Sequence, residues 1–212
     1  MASIPGFSLN ITGASGAAGL LGPKNAWRVY LLPRGGHASQ DSTGTLITFD
    51  DASVASRFTV GHWLQSGLSV ANIRQIAAIG GNSLSVSGAA LTVAENTRIY
   101  LIGSTEPTVV GGSATYTPAT TIRQRDDTGA DQYTNSMITT NSDGLAQGWG
   151  APALYDAIIQ DGNQANQGSI VDLPIGVVEG ISTTEASIFG ATVTFLAGVS
   201  MNTTLAVGQT VT

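Results

Sequence analysis

The last 21 residues, TVTFLAGVSMNTTLAVGQTVT (192–212), carry a six-residue apolar period that narrows what this chain can fold into. Val193, Val199, Leu205 and Val211 form one series, and Phe195, Met201 and Val207 form a second, two residues later. All seven share one parity, so a strand would place them on a single face. Gly198, Asn202 and Gly208 fall between the pairs, where corners belong. The pattern predicts short strands joined at corners, as in a β-helix or an intertwined β-prism. One chain supplies about one coil of such a prism, and stacked repeats need roughly three units to bury a core. Three chains side by side would meet that need. The alternative is an ordinary strand pair at the edge of a sandwich.

Composition agrees with an all-β chain. Charged residues are only 10% and hydrophobic residues 42%, and 27 glycines punctuate the sequence. Disorder would require high charge and few apolar residues, which is not this balance. The abundance of Thr, Val and Ile beside those glycines favours many short strands and turns. Cysteine is absent, which removes disulfides and thiolate metal sites. The N-terminal residues lack a basic start followed by an apolar core, so no secretory signal is expected. No run of about 18 apolar residues is present, so no membrane partner is expected.

Charge is unevenly placed. Residues 1–40 hold Lys24, Arg28 and Arg34 and no acid, whereas residues 126–212 hold nine acids and no base. A net charge of −6 argues against general nucleic-acid binding, which relies on clustered Lys and Arg.

Along the chain, five regions are expected. Residues 1–35 form an extended Gly-rich arm and a first strand. Gly13, Gly16, Gly19 and Gly22 recur every third residue, as a collagen-like segment requires, although a flexible arm or a helical turn fits a lone chain better. With Lys24 and Arg28 these glycines are the candidate docking arm. Residues 36–106 read as a small β-barrel or sandwich. There Gly80, Gly81 and Asn82 form the turn of a hairpin, with a helix over 66–80 as the competing assignment. Pro107, Gly111, Gly112 and Pro118 mark a linker over 107–120. Residues 121–185 read as a small β-sandwich with a hairpin turn at Asp143-Gly144, and 186–212 as the oligomerisation tail.

Candidate chemistry is sparse. His37 and His62 lie beside glycines, with no Gly-x-Ser-x-Gly elbow and no helical His-x-x-x-His. Asp127, Gly129 and Asp131 are spaced like the start of a calcium loop but lack its later acid. Arg123 and Arg125 are expected to pair with Asp126 and Asp127 around an exposed turn. Paired carboxylates such as Asp156 and Asp161 could in principle hydrolyse a glycan, but they sit five apart across a strand end and a loop. Asp161, Asn163, Gln164 and Asn166 form an amide-rich loop that suits sugar or protein contacts and suits a plain turn equally well. No metal, cofactor or catalytic residue is expected.

Two resemblances add to this. The run Thr140-Asn-Ser-Asp-Gly144, with Trp149, Pro152 and Tyr155-Asp156, resembles the carboxypeptidase-regulatory and prealbumin-like small β-sandwiches, with Ala153 standing where their glycine would be. The Gly-x-y segment, the β modules and the hexad tail together are similar to bacteriophage fibre, spike and capsid-decoration proteins. That resemblance implies a non-enzymatic virion protein, commonly a homotrimer, whose partners are itself, other virion proteins and, as an alternative function, a receptor or host surface glycan.

Overall fold

A computed structural model of the chain describes residues 4–15, 20–127 and 129–176. The hexad series Val193 to Val211, together with Gly16 and Gly19, lies outside the described residues. What is described is nearly all antiparallel β, as the composition implies.

Two strands organise the body. Arg28–Pro33 is an unbroken apolar run because both of its faces are buried. Val29 and Leu31 point into one core, with Phe7, Ile122, Ile138, Tyr155, Ala157 and Ile175. Tyr30 and Leu32 point into another, with Tyr100, Ile102, Ala114, Tyr116 and Ile158. Arg98–Gly103 behaves in the same way: Tyr100 and Ile102 share that second core. Its Ile99 and Leu101 enter a third, with Phe49, Leu64, Ile76 and Leu84. Each fully buried Leu, Ile or Val contributes about 1.5–3 kcal/mol before ordering costs.

Around these strands the sheets stack in layers. A six-stranded sheet runs Gly36–His37, Arg98–Gly103, Trp63–Ser66, Ile73–Gly80, Ser83–Val86, Leu46–Thr48. A four-stranded sheet runs Met137–Thr139, Arg28–Pro33, Ala153–Gln160, Asn166–Ile175. A three-stranded sheet (Gly6–Asn10, Leu145–Gly150, Ile122–Arg123) closes the core on the far side of the four-stranded one.

The hairpin at 80–82 forms as expected, with Ser83 opposite Gly80 and Gly81 at φ +58°. The competing helix is limited to a 3-10 turn at Val70–Asn72 ahead of the strand Ile73–Gly80. A four-residue helix, Ala52–Ala55, follows the bend at Asp50-Asp51. The Asp51 carboxylate caps it by accepting from the Ser53 N–H at 2.6 Å.

Three expectations need correction. The N-terminal segment is not an extended arm: Gly6–Asn10 pairs with Leu145–Gly150, and Thr12–Ser15 pairs with Leu20–Pro23, placing Gly13 opposite Gly22. An antiparallel ladder satisfies those backbone groups within one chain, which an extended arm cannot do. Residues 107–120 are not a linker. Thr108–Val110 and Ser113–Thr115 form a hairpin turned by Gly111 and Gly112 at positive φ, and Tyr116 behind it is wholly buried. The Asp143-Gly144 step makes its turn, with Gly144 at φ +74°, but no tight hairpin follows. The strands on either side, Met137–Thr139 and Leu145–Gly150, belong to different sheets.

Candidate functional site

The chain leaves the four-stranded sheet at Pro33 and enters the six-stranded sheet at Gly36. This crossing is tight. A Cβ on Gly35 would overlap the Ile99 carbonyl oxygen, and one on Gly36 would overlap the Val54 side chain of the short helix. The glycine pair is therefore needed for close approach rather than for a turn. It draws strand, helix and crossing together around a cleft of about 180 Å³.

The chemistry of the cleft is ionic. Arg98, from the six-stranded sheet, is 7% exposed, and Asp156, from the four-stranded sheet, is fully buried. Arg98 Nε donates to Asp156 Oδ2 at 3.0 Å, and Nη2 donates to Asp156 Oδ1, a bidentate pair. Gly35 N–H donates to Asp156 Oδ2 at 3.0 Å and Asp172 N–H to Oδ1 at 3.1 Å. Asp172 sits at φ +53° where the register of Ala153–Gln160 against Asn166–Ile175 shifts. That bulge turns its carboxylate toward Arg98 Nη2 at 3.0 Å and Arg34 Nε at 2.7 Å. The network thus fastens the two large sheets through one buried guanidinium. Burial works against the charge of Arg98, while the hydrogen bonds and charges of Asp156 and Asp172 hold its pKa above the ordinary arginine value.

His37 and Arg57 complete the lining. His37 Nδ1 lies 3.3 Å from Arg98 Nη1, so the ring accepts there and carries its proton on Nε2. Burial, then the Arg98 charge, pushes the His37 pKa down. Asp172 is held below the usual carboxylate range: burial opposes its charge, but Arg34 and Arg98 prevail.

The signs of the two shifts agree. A histidine whose folded pKa is lowered leaves the unfolded chain to take up the proton first, so stability begins to fall as pH drops through the ordinary value of 6.5. The Asp172 contribution is fully present above the ordinary 3.8 and is lost as pH falls through the lower folded value. Melting temperature measured against pH should therefore decline in two acid steps. His37→Gln should remove the first and Asp172→Asn the second.

A second polar cluster lies within the core between the two large sheets. Tyr116 Oη donates to Gln65 Oε1 at 2.8 Å and accepts from Asn166 Nδ2 at 2.8 Å. Asn166 Nδ2 also reaches the Leu68 carbonyl at 2.8 Å, and its Oδ1 accepts from Gln160 Nε2 at 3.0 Å. Burial pushes the Tyr116 pKa up to about 12.

Asn166, expected in an exposed ligand loop, is thus turned inward. The rest of that loop is built around Asp161, whose Oδ1 accepts from the Asn163 and Ala165 N–H groups at 2.8 and 3.0 Å. Gln167 Nε2 donates to Asp161 Oδ2 at 2.8 Å, and Gln164 takes φ +66°. Of the four named loop residues only Asn163 is exposed. Asn166→Ala should cost about 1–3 kcal/mol by orphaning buried partners. Asn163→Ala should stay within about 0.5 kcal/mol, the range of an ordinary surface change. Urea denaturation of the two variants makes the comparison.

The remaining candidates are dispersed. Asp156 has both oxygens committed to the ion network, and Asp161 organises its turn. Lys24 packs its ammonium 5.8 Å from the Trp27 ring centroid, and Arg28 lies in the strand Arg28–Pro33. Arg123 donates to the Ala130 carbonyl at 3.0 Å, and Gly129 N–H to Asp127 Oδ1 at 2.9 Å. Among the described residues no group of three or more His, Asp or Glu side chains is placed to hold a metal ion. Among them, too, no helix is long and apolar enough to cross a membrane.

Sequence reasoning missed Arg34, Arg57, Arg98 and Asp172 as a group. One signal was present. Arg98 opens the apolar run RIYLIG, and an arginine at a buried strand position requires a carboxylate partner. The chain matches no protein-family model, and the searches of curated proteins and of solved structures found no similar protein.

Proposed function

We propose that this chain is a non-enzymatic virion structural protein, a homotrimeric fibre, spike or surface-decoration subunit of a bacteriophage particle. The observation that carries the reading is the six-residue apolar period of residues 192–212. One chain supplies about one coil of that period, and stacked repeats need roughly three units to bury a core, which three chains side by side would supply. Among the described residues three hydrophobic cores form, from Phe7 to Ile175. The low charge content supports the same reading, because the few charges at the centre of the body fasten its sheets to one another. Partners on this reading are two further copies and neighbouring virion proteins. Phe7 and Ile11 are buried in the body, so the N-terminal residues around them are not an arm free to dock.

Native mass spectrometry tests the reading. A three-chain species that survives dilution supports it, and single chains throughout contradict it.

A second reading, a receptor- or glycan-binding module, is favoured by the polar cleft beside Arg98. It predicts glycan-array binding that is lost when the cleft side chains are changed and kept when Asn163 is replaced by alanine.

A further inference from the structure

Three of the chain's eight basic residues, Arg34, Arg57 and Arg98, line a single cleft of about 180 Å³. They are spent differently. Arg98 is committed to Asp156 and Asp172, and Arg34 donates to Asp172. Arg57 donates Nη1 to the Gly35 carbonyl at 2.8 Å, which uses one of the five N–H groups a guanidinium carries. Among the described residues no carboxylate lies within ion-pair distance of it. Among the described residues, then, Arg34 and Arg98 have carboxylate partners and Arg57 has none. Asp50, the other acid on the lining, is exposed to solvent that screens its charge. Burial, and then the neighbouring Arg34 charge, disfavours the Arg57 cation. An anion in the cleft would relieve that repulsion. The His37 ring supplies a further donor, since its Nδ1 faces Arg98 and its proton is on Nε2.

We propose that this cleft binds a compact oxyanion, a sulfate, a phosphate or the carboxylate of a sugar acid, gripped by the Arg57 fork with Arg34 and His37 beside it. A planar fork suits two oxygens of one anion, and the volume admits one such group. The inference rests on the geometry of the cleft and is independent of the assembly reading.

The full chain is titrated with sodium sulfate, sodium phosphate and sodium glucuronate, against sodium chloride at matched ionic strength. Calorimetry and the arginine side-chain NMR signals report binding. The expected result is saturable binding beyond chloride, weakened at least about tenfold in Arg57→Gln, the loss of one charge-assisted contact. Arg57→Lys keeps the charge without the fork, should be weakened as well, and serves as the test if Arg57→Gln misfolds. Tighter sulfate or phosphate points to a tetrahedral group on the natural ligand, and tighter glucuronate points to a sugar acid. No saturable response beyond chloride, or equal affinity in wild type and the Arg57 variants, overturns the proposal.

Discussion

Asp156→Asn should lower the free energy of unfolding by about 3–5 kcal/mol, the cost of breaking a buried ion pair from one side. The exchange is nearly isosteric, so packing does not account for the loss. Asp156 receives four N–H donors on two oxygens: two from Arg98, one from Gly35 and one from Asp172. An asparagine places its own NH₂ among those donors and leaves Arg98 buried without its main counter-charge. Asp172→Asn should cost far less, because the carboxylate is 35% exposed and water takes over part of its role. The double change Asp156→Asn with Arg98→Met should recover part of the loss, since the orphaned charge is gone. Chemical denaturation at fixed protein concentration measures all three. A single-variant loss below about 1 kcal/mol would place Asp156 among ordinary surface pairs and refute the inter-sheet role.

Gly35→Ala should be nearly as damaging, at about 3 kcal/mol, the upper end of the cost of overpacking. The added methyl overlaps the Ile99 carbonyl oxygen, and Ile99 is pinned between Gly36 on one side and Ser66 on the other. Backbone held on both sides cannot withdraw as a side chain can. The same methyl would stand 3.1 Å from Asp156 Oδ2, disturbing the network as well. Gly80→Ala is the control. Nothing lies within 4 Å of its Cβ position, so it should change stability by about 0.5 kcal/mol or less. Thermal melts of the two variants should separate clearly, and similar melts would contradict the close-approach account.

What the sequence disclosed follows from how local each signal was. The strands WRVYLL and RIYLIG were legible because a strand buried on both faces writes an unbroken apolar run. Their partners were not legible. Arg28–Pro33 pairs with Ala153–Gln160, far along the chain, and nothing in either run names the other. That non-local pairing is why two expected modules share a core. The stretch 107–120 misled because Pro and Gly-Gly punctuate loops and hairpin tips alike. Tyr116, the one large apolar residue behind that hairpin, marked it as packed. In the loop after Asp161 the amide-rich composition was visible, but composition does not say which amides face inward, and Asn166 does. The arginine cleft gathers residues 34, 57, 98, 156 and 172 from five separate segments, with no spacing to reveal it.

The assembly claim is the one on which the functional reading turns, and light scattering coupled to size-exclusion chromatography tests it most directly. The full chain and a chain ending at residue 185 are compared at micromolar concentration. The expected result is three times the 21.6 kDa chain mass for the full chain, and a single-chain mass with unchanged β signal for the shortened one. A well-folded monomer of the full chain, or a trimer that survives loss of the tail, would contradict it.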